Sequence, residues 1–203
     1  MSGETLDRRT IVPFLAEIFE RRGAEEYLGE PVTIAEHMLQ SAWFAESESA
    51  SDELVAAALL HDIGHFTSEF GTYSPDDLED KHHDDAGAEV LGPFFPPLVT
   101  ECVRLHVAAK RYLCATDPTY FAKLSSASVH TLSLQGGPMS AAEVEKFRKN
   151  PFHDEAVRVR IWDEGGKVPG MNTRAFSDYA VLLQRVVDRY LEAGKLAERA
   201  GSL

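Results

Sequence analysis

Apolar residues recur along most of this chain at the three-to-four-residue spacing of helix faces, and not at the two-residue spacing of strands. Residues 9–22, RTIVPFLAEIFERR, carry such a face and stop before Gly23. Residues 33–46 open with Thr33 and Glu36 in capping-box spacing. Residues 52–61 start at an N-cap candidate, Asp52, and run through Ala and Leu, both strong helix formers. The same periodicity predicts helices near 83–91, 97–111, 117–123, 125–134, 140–148, 152–163 and 174–195. Pro and Gly punctuate them at Pro75, Gly92-Pro93, Pro96-Pro97, Gly136-Gly137-Pro138, Gly165-Gly166 and Pro169-Gly170. The pattern predicts an all-α chain, one domain over 1–203, with loops 66–80 and 164–173 as pocket rims.

Polar residues break these faces where they should be buried. In LLHDIGH (59–65), His61, Asp62 and His65 follow directly on the apolar run LVAAALL. Burying such groups without partners is costly. His37 shares a face with Ile34 and Ser41, and His106 lies within VTECVRLHVAAK, one turn before Lys110. His83 opens HDDAGAEVL, and Asp163 ends AVRVRIWD with Arg160 three residues earlier. A lone histidine is most often a satisfied core or surface residue, and a lone aspartate near a helix end caps it or meets an arginine. Intrusions on five separate helices point past that reading. Imidazole and carboxylate suit iron, manganese or zinc. Adjacent His61 and Asp62 can serve one ion each, or the carboxylate can bridge two, as in metal sites built inside helical bundles.

Composition narrows the function. At 203 residues, 44% hydrophobic and 26% charged, the chain has ordinary globular proportions. It has no apolar run long enough to span a bilayer, and MSGETLDRRT lacks the apolar core of a signal peptide. Two cysteines, Cys102 and Cys114, make no disulfide framework, so a reducing cytoplasm is expected. The net charge of −13 argues against nucleic acid or an acidic membrane as partner, and no protein partner is implied. A small anionic substrate stays possible where a pocket is locally cationic.

The ordered set His37, His61-Asp62 and Asp163 resembles the HD-domain superfamily, an all-helical metal-binding fold. The resemblance narrows to the HD-domain mixed-valent diiron oxygenases of phosphonate catabolism. It rests on EYLGE (26–30), EHMLQSAWFA (36–45), AALLHDIGH (57–65), HHDDAGAEVL (82–91), HVAAKRYL (106–113), LSSAS (124–128), LQGGPM (134–139) and RIWDEGGK (160–167), a core of about 26–167. It implies a single HD-domain bundle with a buried dinuclear site. It also implies an Fe(II)/Fe(III) pair held by His37, His61, Asp62, His83, His106 and Asp163, with Asp62 bridging and O2 as cosubstrate. His83 is preferred to His82 because it stands four residues before Gly87, as in the family pattern.

The same resemblance puts His65, Lys110, Ser128 and Arg160 around a phosphonate group. Their chemistry suits a dianionic, oxygen-rich head. It implies that Tyr27 occupies an iron position at rest and leaves when substrate binds, and that Glu30 meets the substrate's cationic nitrogen. Tyr27 and Glu30 would otherwise read as a packed turn residue and a solvated acid. The implied reaction is oxidative C–P cleavage of a 1-hydroxy-2-aminoethylphosphonate, with free or trimethylated nitrogen, to phosphate and glycine or glycine betaine. An aromatic wall for a quaternary nitrogen could come from Phe66, Tyr73 and Phe94, each equally a core residue. The alternatives are an HD-domain phosphohydrolase acting on a nucleotide or phosphate monoester, and a non-catalytic binder.

Overall fold

The computed structural model describes residues 6–27, 29–67 and 76–200, with side chains as far as 196. The first three helices are α1 (Ile11–Arg22), α2 (Ile34–Ser47) and α3 (Asp52–Leu60). The next four are α4 (Gly64–Thr67), α5 (His83–Leu91), α6 (Pro97–Thr116) and α7 (Pro118–Phe121). The last four are α8 (Ser126–Leu134), α9 (Ala141–Phe147), α10 (His153–Gly165) and α11 (Phe176–Ala200). Among the described residues there is no strand, only a single antiparallel bridge between Glu26 and Thr33. That bridge closes the base of the loop carrying Tyr27 and Glu30.

Local chemistry explains the boundaries. Thr33 and Glu36 form the capping box at the start of α2, and the Ser51 hydroxyl caps α3. Helix α6 runs to Thr116, beyond the expected 111, because the buried face Val103, His106, Lys110 continues through Leu113. It stops where Asp117 caps α7 and Pro118 takes that helix's first position. The four-residue α4 opens on Gly64 without the N-cap and proline that mark the equally short α7 at Asp117-Pro118. Tyr73, and most of the loop 66–80, lie outside the described residues.

The main hydrophobic cluster draws on α1 to α6, α10 and α11. Helix α3 sits inside it: Leu54 through Leu60 are all buried. Phe66 belongs to this cluster and Phe94 packs against it, so both rings serve the core. Cys102 and Cys114 are unbridged. No described helix is long and apolar enough to cross a membrane.

Candidate metal centre and its pocket

Two glycines let backbone approach where the site needs it. A Cβ on Gly64 would stand 1.7 Å from the His83 carbonyl oxygen, so only glycine lets α4 and the start of α5 meet. A Cβ on Gly166 would stand 2.9 Å from the His37 carbonyl oxygen. There Gly166 turns its own carbonyl to His37 Nδ1, at 2.9 Å. At the start of α5 the backbone of His82 is left-handed, with φ 48°. The two neighbours face opposite ways: the His82 side chain is 67% exposed and that of His83 only 5%.

All six expected ligands converge. His37, His61, Asp62, His83, His106 and Asp163 are buried, although they come from α2, the α3–α4 corner, α5, α6 and α10. Asp62 stands between two histidine pairs. Its Oδ2 lies 3.5 Å from both His37 Nε2 and His61 Nε2. Its Oδ1 lies 3.4 Å from both His83 Nε2 and His106 Nε2. Asp163 joins the first pair, 3.4 Å from His37 and 3.7 Å from His61. Within each pair the Nε2 atoms are 3.0 Å apart. His65 also reaches the second group, with Nε2 3.8 Å from Asp62 Oδ1, and its ring stacks flat on His83.

These residues fit a metal. His61 Nδ1 donates to the Ala58 carbonyl and His37 Nδ1 to that of Gly166. Both rings then carry their proton on Nδ1, and two Nε2 lone pairs face each other at 3.0 Å. A proton or a metal ion between them makes that contact favourable, and the two nearby carboxylates suit a metal ion. Atoms coordinated at about 2.0–2.2 Å to one ion lie about 3 Å apart when cis, which matches. Asp62 Oδ2 and Asp163 Oδ1 are buried and make no hydrogen bond of normal geometry. Burial opposes charge on Asp62, yet His61 and His65 hold its carboxyl well below the usual range. Burial pulls His61 down to about 4 and His83 well below its ordinary value. His106 moves the other way: burial works against its charge, and Asp62 outweighs it. Ionised carboxylates and neutral imidazoles are the forms that bind metal.

A pocket opens onto this centre. Its lining includes Asp62, His83 and His106 together with all six further residues expected from the sequence: Tyr27, Glu30, His65, Lys110, Ser128 and Arg160. Tyr27 stacks on the His37 ring at 4.3 Å. Burial, and then the charges of Asp62 and Asp163, hold its phenol well above the ordinary value. Lys110 donates to Thr131 Oγ1 at 3.0 Å, and burial followed by Arg160 pulls its ammonium down to about 7. Arg160 donates to the Tyr120 hydroxyl at 2.6 Å, to Asp163 and to Glu164.

Sequence reasoning missed Glu164, Lys167, Thr131 and Gln135. Thr131 and Gln135 line the pocket from α8 and its end. Lys167 contacts Ser128, Glu164 and Glu30. The spacing Ser128, Thr131, Gln135 is one helical face and was readable as such.

Four imidazoles and two carboxylates buried at a crossing of helices define a metal-binding helical domain. Residues 34–164 match the HD domain, and the chain belongs to that family. It is 58% identical to the 1-hydroxy-2-(trimethylamino)ethyl phosphonate dioxygenase (glycine-betaine-forming) of Leisingera caerulea, across 93% of this chain and 96% of that one. It is 44% identical to the hydroxymethylphosphonate dioxygenase of Gimesia maris, across 83% and 84% of the two chains.

Proposed function

We propose that this protein uses dioxygen to cleave the C–P bond of a 1-hydroxy-2-aminoethylphosphonate, with the N-trimethyl compound as preferred substrate and glycine betaine and phosphate as products. The observation that carries the reading is the composition of one pocket. Two cationic side chains, a hydroxyl, a carboxylate and three of the metal-ligand candidates face the same space. The two dioxygenase relatives favour an oxygenase over a phosphohydrolase. Helices α1 and α11, outside the matched span, share the main core, which supports reading 1–203 as one unit.

The reaction balances as substrate plus O2 giving a carboxylate and phosphate: one oxygen atom ends on C1 and one on phosphorus. We assign the metal as two irons, one held by His37, His61 and Asp163, the other by His83 and His106, with Asp62 shared. The bound metal supplies the one-electron chemistry that dioxygen needs and side chains lack. The protein does the rest. Lys110 and Arg160 balance the phosphonate dianion, and the Ser128 hydroxyl and His65 add hydrogen bonds to its oxygens. A dianion beside Lys110 favours its protonated form, so binding keeps that ammonium charged. The Ala58 and Gly166 carbonyls fix the His61 and His37 tautomers. Tyr27, stacked on His37, covers the centre until substrate displaces it, and Glu30 receives the cationic nitrogen.

Purified aerobically, the protein should hold two irons per chain and give the paramagnetic signal of a coupled Fe(II)/Fe(III) pair. With the trimethylated substrate under air it should release phosphate and glycine betaine in equal amounts. Phosphate release that persists without oxygen would favour the phosphohydrolase instead. The loop gives a separate expectation. Tyr27→Phe should alter the iron spectrum before substrate is added while the helical content stays unchanged. Glu30→Gln should lower kcat/KM for the trimethylated substrate about ten- to a hundredfold, and far less for hydroxymethylphosphonate, because a charge-assisted contact is lost only for the former. Equal losses on both substrates would remove Glu30 from nitrogen recognition.

A further inference from the structure

Lys167 follows Gly165 and Gly166 at the end of α10, and its side chain is 10% exposed. An ammonium so enclosed needs partners. Its Nζ lies 2.7 Å from Ser128 Oγ, 3.2 Å from Glu164 Oε1 and 3.2 Å from Glu30 Oε1. Glu30 Oε1 also accepts from the Ser125 hydroxyl. Among the described residues Glu30 Oε2 accepts no hydrogen bond, and Glu30 lines the pocket. One carboxylate oxygen is therefore engaged by an internal cation, and the other is left for a ligand.

We propose that Lys167 is a specificity-determining residue, the internal counter-ion of Glu30, which weakens that carboxylate's pull on the cationic nitrogen of the substrate. The proposal rests on the substrate class put forward above. Position and charge are separable here. Without Lys167, Glu30 keeps its place: Ser125 holds the same oxygen, Glu30 N–H donates to the Tyr27 carbonyl at 2.7 Å, and the Glu26–Thr33 bridge closes the loop. Gly29, at φ 69°, supplies the left-handed step of that turn. What disappears is a positive charge 3.2 Å from Glu30. In a confined site such a charge acts strongly on a second cation nearby. Lys167 also touches Ser128, so its loss weakens every phosphonate ligand in common, and only a ratio of two ligands isolates the effect on nitrogen.

The test is calorimetric binding to the metal-loaded protein of 2-(trimethylammonio)ethylphosphonate and of 3,3-dimethylbutylphosphonate, its uncharged counterpart of the same shape. Neither carries the 1-hydroxyl, so binding is read apart from turnover. Lys167→Met should raise the preference for the cationic ligand about tenfold, even as both affinities fall. Lys167→Arg should keep the wild-type ratio to within about twofold. Lys167→Gln repeats the measurement should the methionine variant fail to fold. A ratio that is unchanged or lower in the uncharged variants overturns the role of Lys167. Wild-type protein that binds neither ligand, or shows no preference for the cation, overturns the substrate class and the proposal with it. That failure appears before any variant is made.

Discussion

Protein carrying Asp62→Ala should purify folded, nearly free of metal, and unable to release phosphate from any phosphonate. Asp62 offers Oδ2 to His37 and His61 and Oδ1 to His83 and His106, each within 3.5 Å. One truncation therefore takes a ligand from both groups, where loss of a single histidine takes one from a single group. The fold should survive, because α3 is anchored by Leu54 through Leu60 in the core and not by Asp62. Elemental analysis beside circular dichroism makes the measurement. Two neighbours sharpen it. His106→Ala should also lose metal, since its Nε2 meets that of His83 at 3.0 Å with the rings crossed at 65°. His65→Ala should keep it. The His65 ring lies flat on His83, 8° from parallel, an arrangement that sets two rings side by side instead of converging on one point. Full metal occupancy in Asp62→Ala would dismantle the ligand assignment. Loss from His65→Ala with retention in His106→Ala would exchange the roles of those two residues.

The sequence made the centre legible because its residues violate the local pattern. His61 and Asp62 follow a helix whose last seven positions, Leu54 to Leu60, are all apolar, and His106 interrupts a buried face. Such intrusions stand out in a periodicity reading. The helices were legible from their periodicity and start signals, apart from α4, which opens on Gly64 with no such signal. The pocket's supporting network was harder to read. Glu164 and Lys167 sit at the polar end of a helix, where charged residues are ordinary. The significance of Lys167 comes from partners far away in the chain, Ser128 across 39 residues and Glu30 beyond it. The Gly166 carbonyl that orients His37 is 129 residues from it, and a backbone acceptor has no signature in residue type. The aromatic wall shows the opposite limit. Phe66 and Phe94 satisfied the composition of a cation box, and packing placed them in the core.

Arg160→Met should lower both stability and activity by large amounts. The guanidinium is buried and donates to three partners: the Tyr120 hydroxyl, Asp163 and Glu164. Removing it strips buried Asp163 of its guanidinium and leaves Glu164 with Lys167 alone, and breaking a buried pair costs about 3–5 kcal/mol. For a chain of this size that is a fall of about 10 °C in Tm. Burial opposes charge on Asp163, and Arg160 foremost holds its carboxyl well below the usual range. A metal on Asp163 would replace part of that compensation, so chelation should widen the gap in Tm between variant and wild type. Activity falls for a second reason. On the substrate assignment proposed above, the phosphonate loses a cationic partner, and kcat/KM should drop about a hundredfold or more. Arg160→Lys separates the two effects. It keeps a positive charge but cannot serve Tyr120, Asp163 and Glu164 together. It should recover part of the Tm and little of kcat/KM. A melting curve for Arg160→Met that matches wild type, with and without metal, would mean that the buried network around Asp163 does not exist as described.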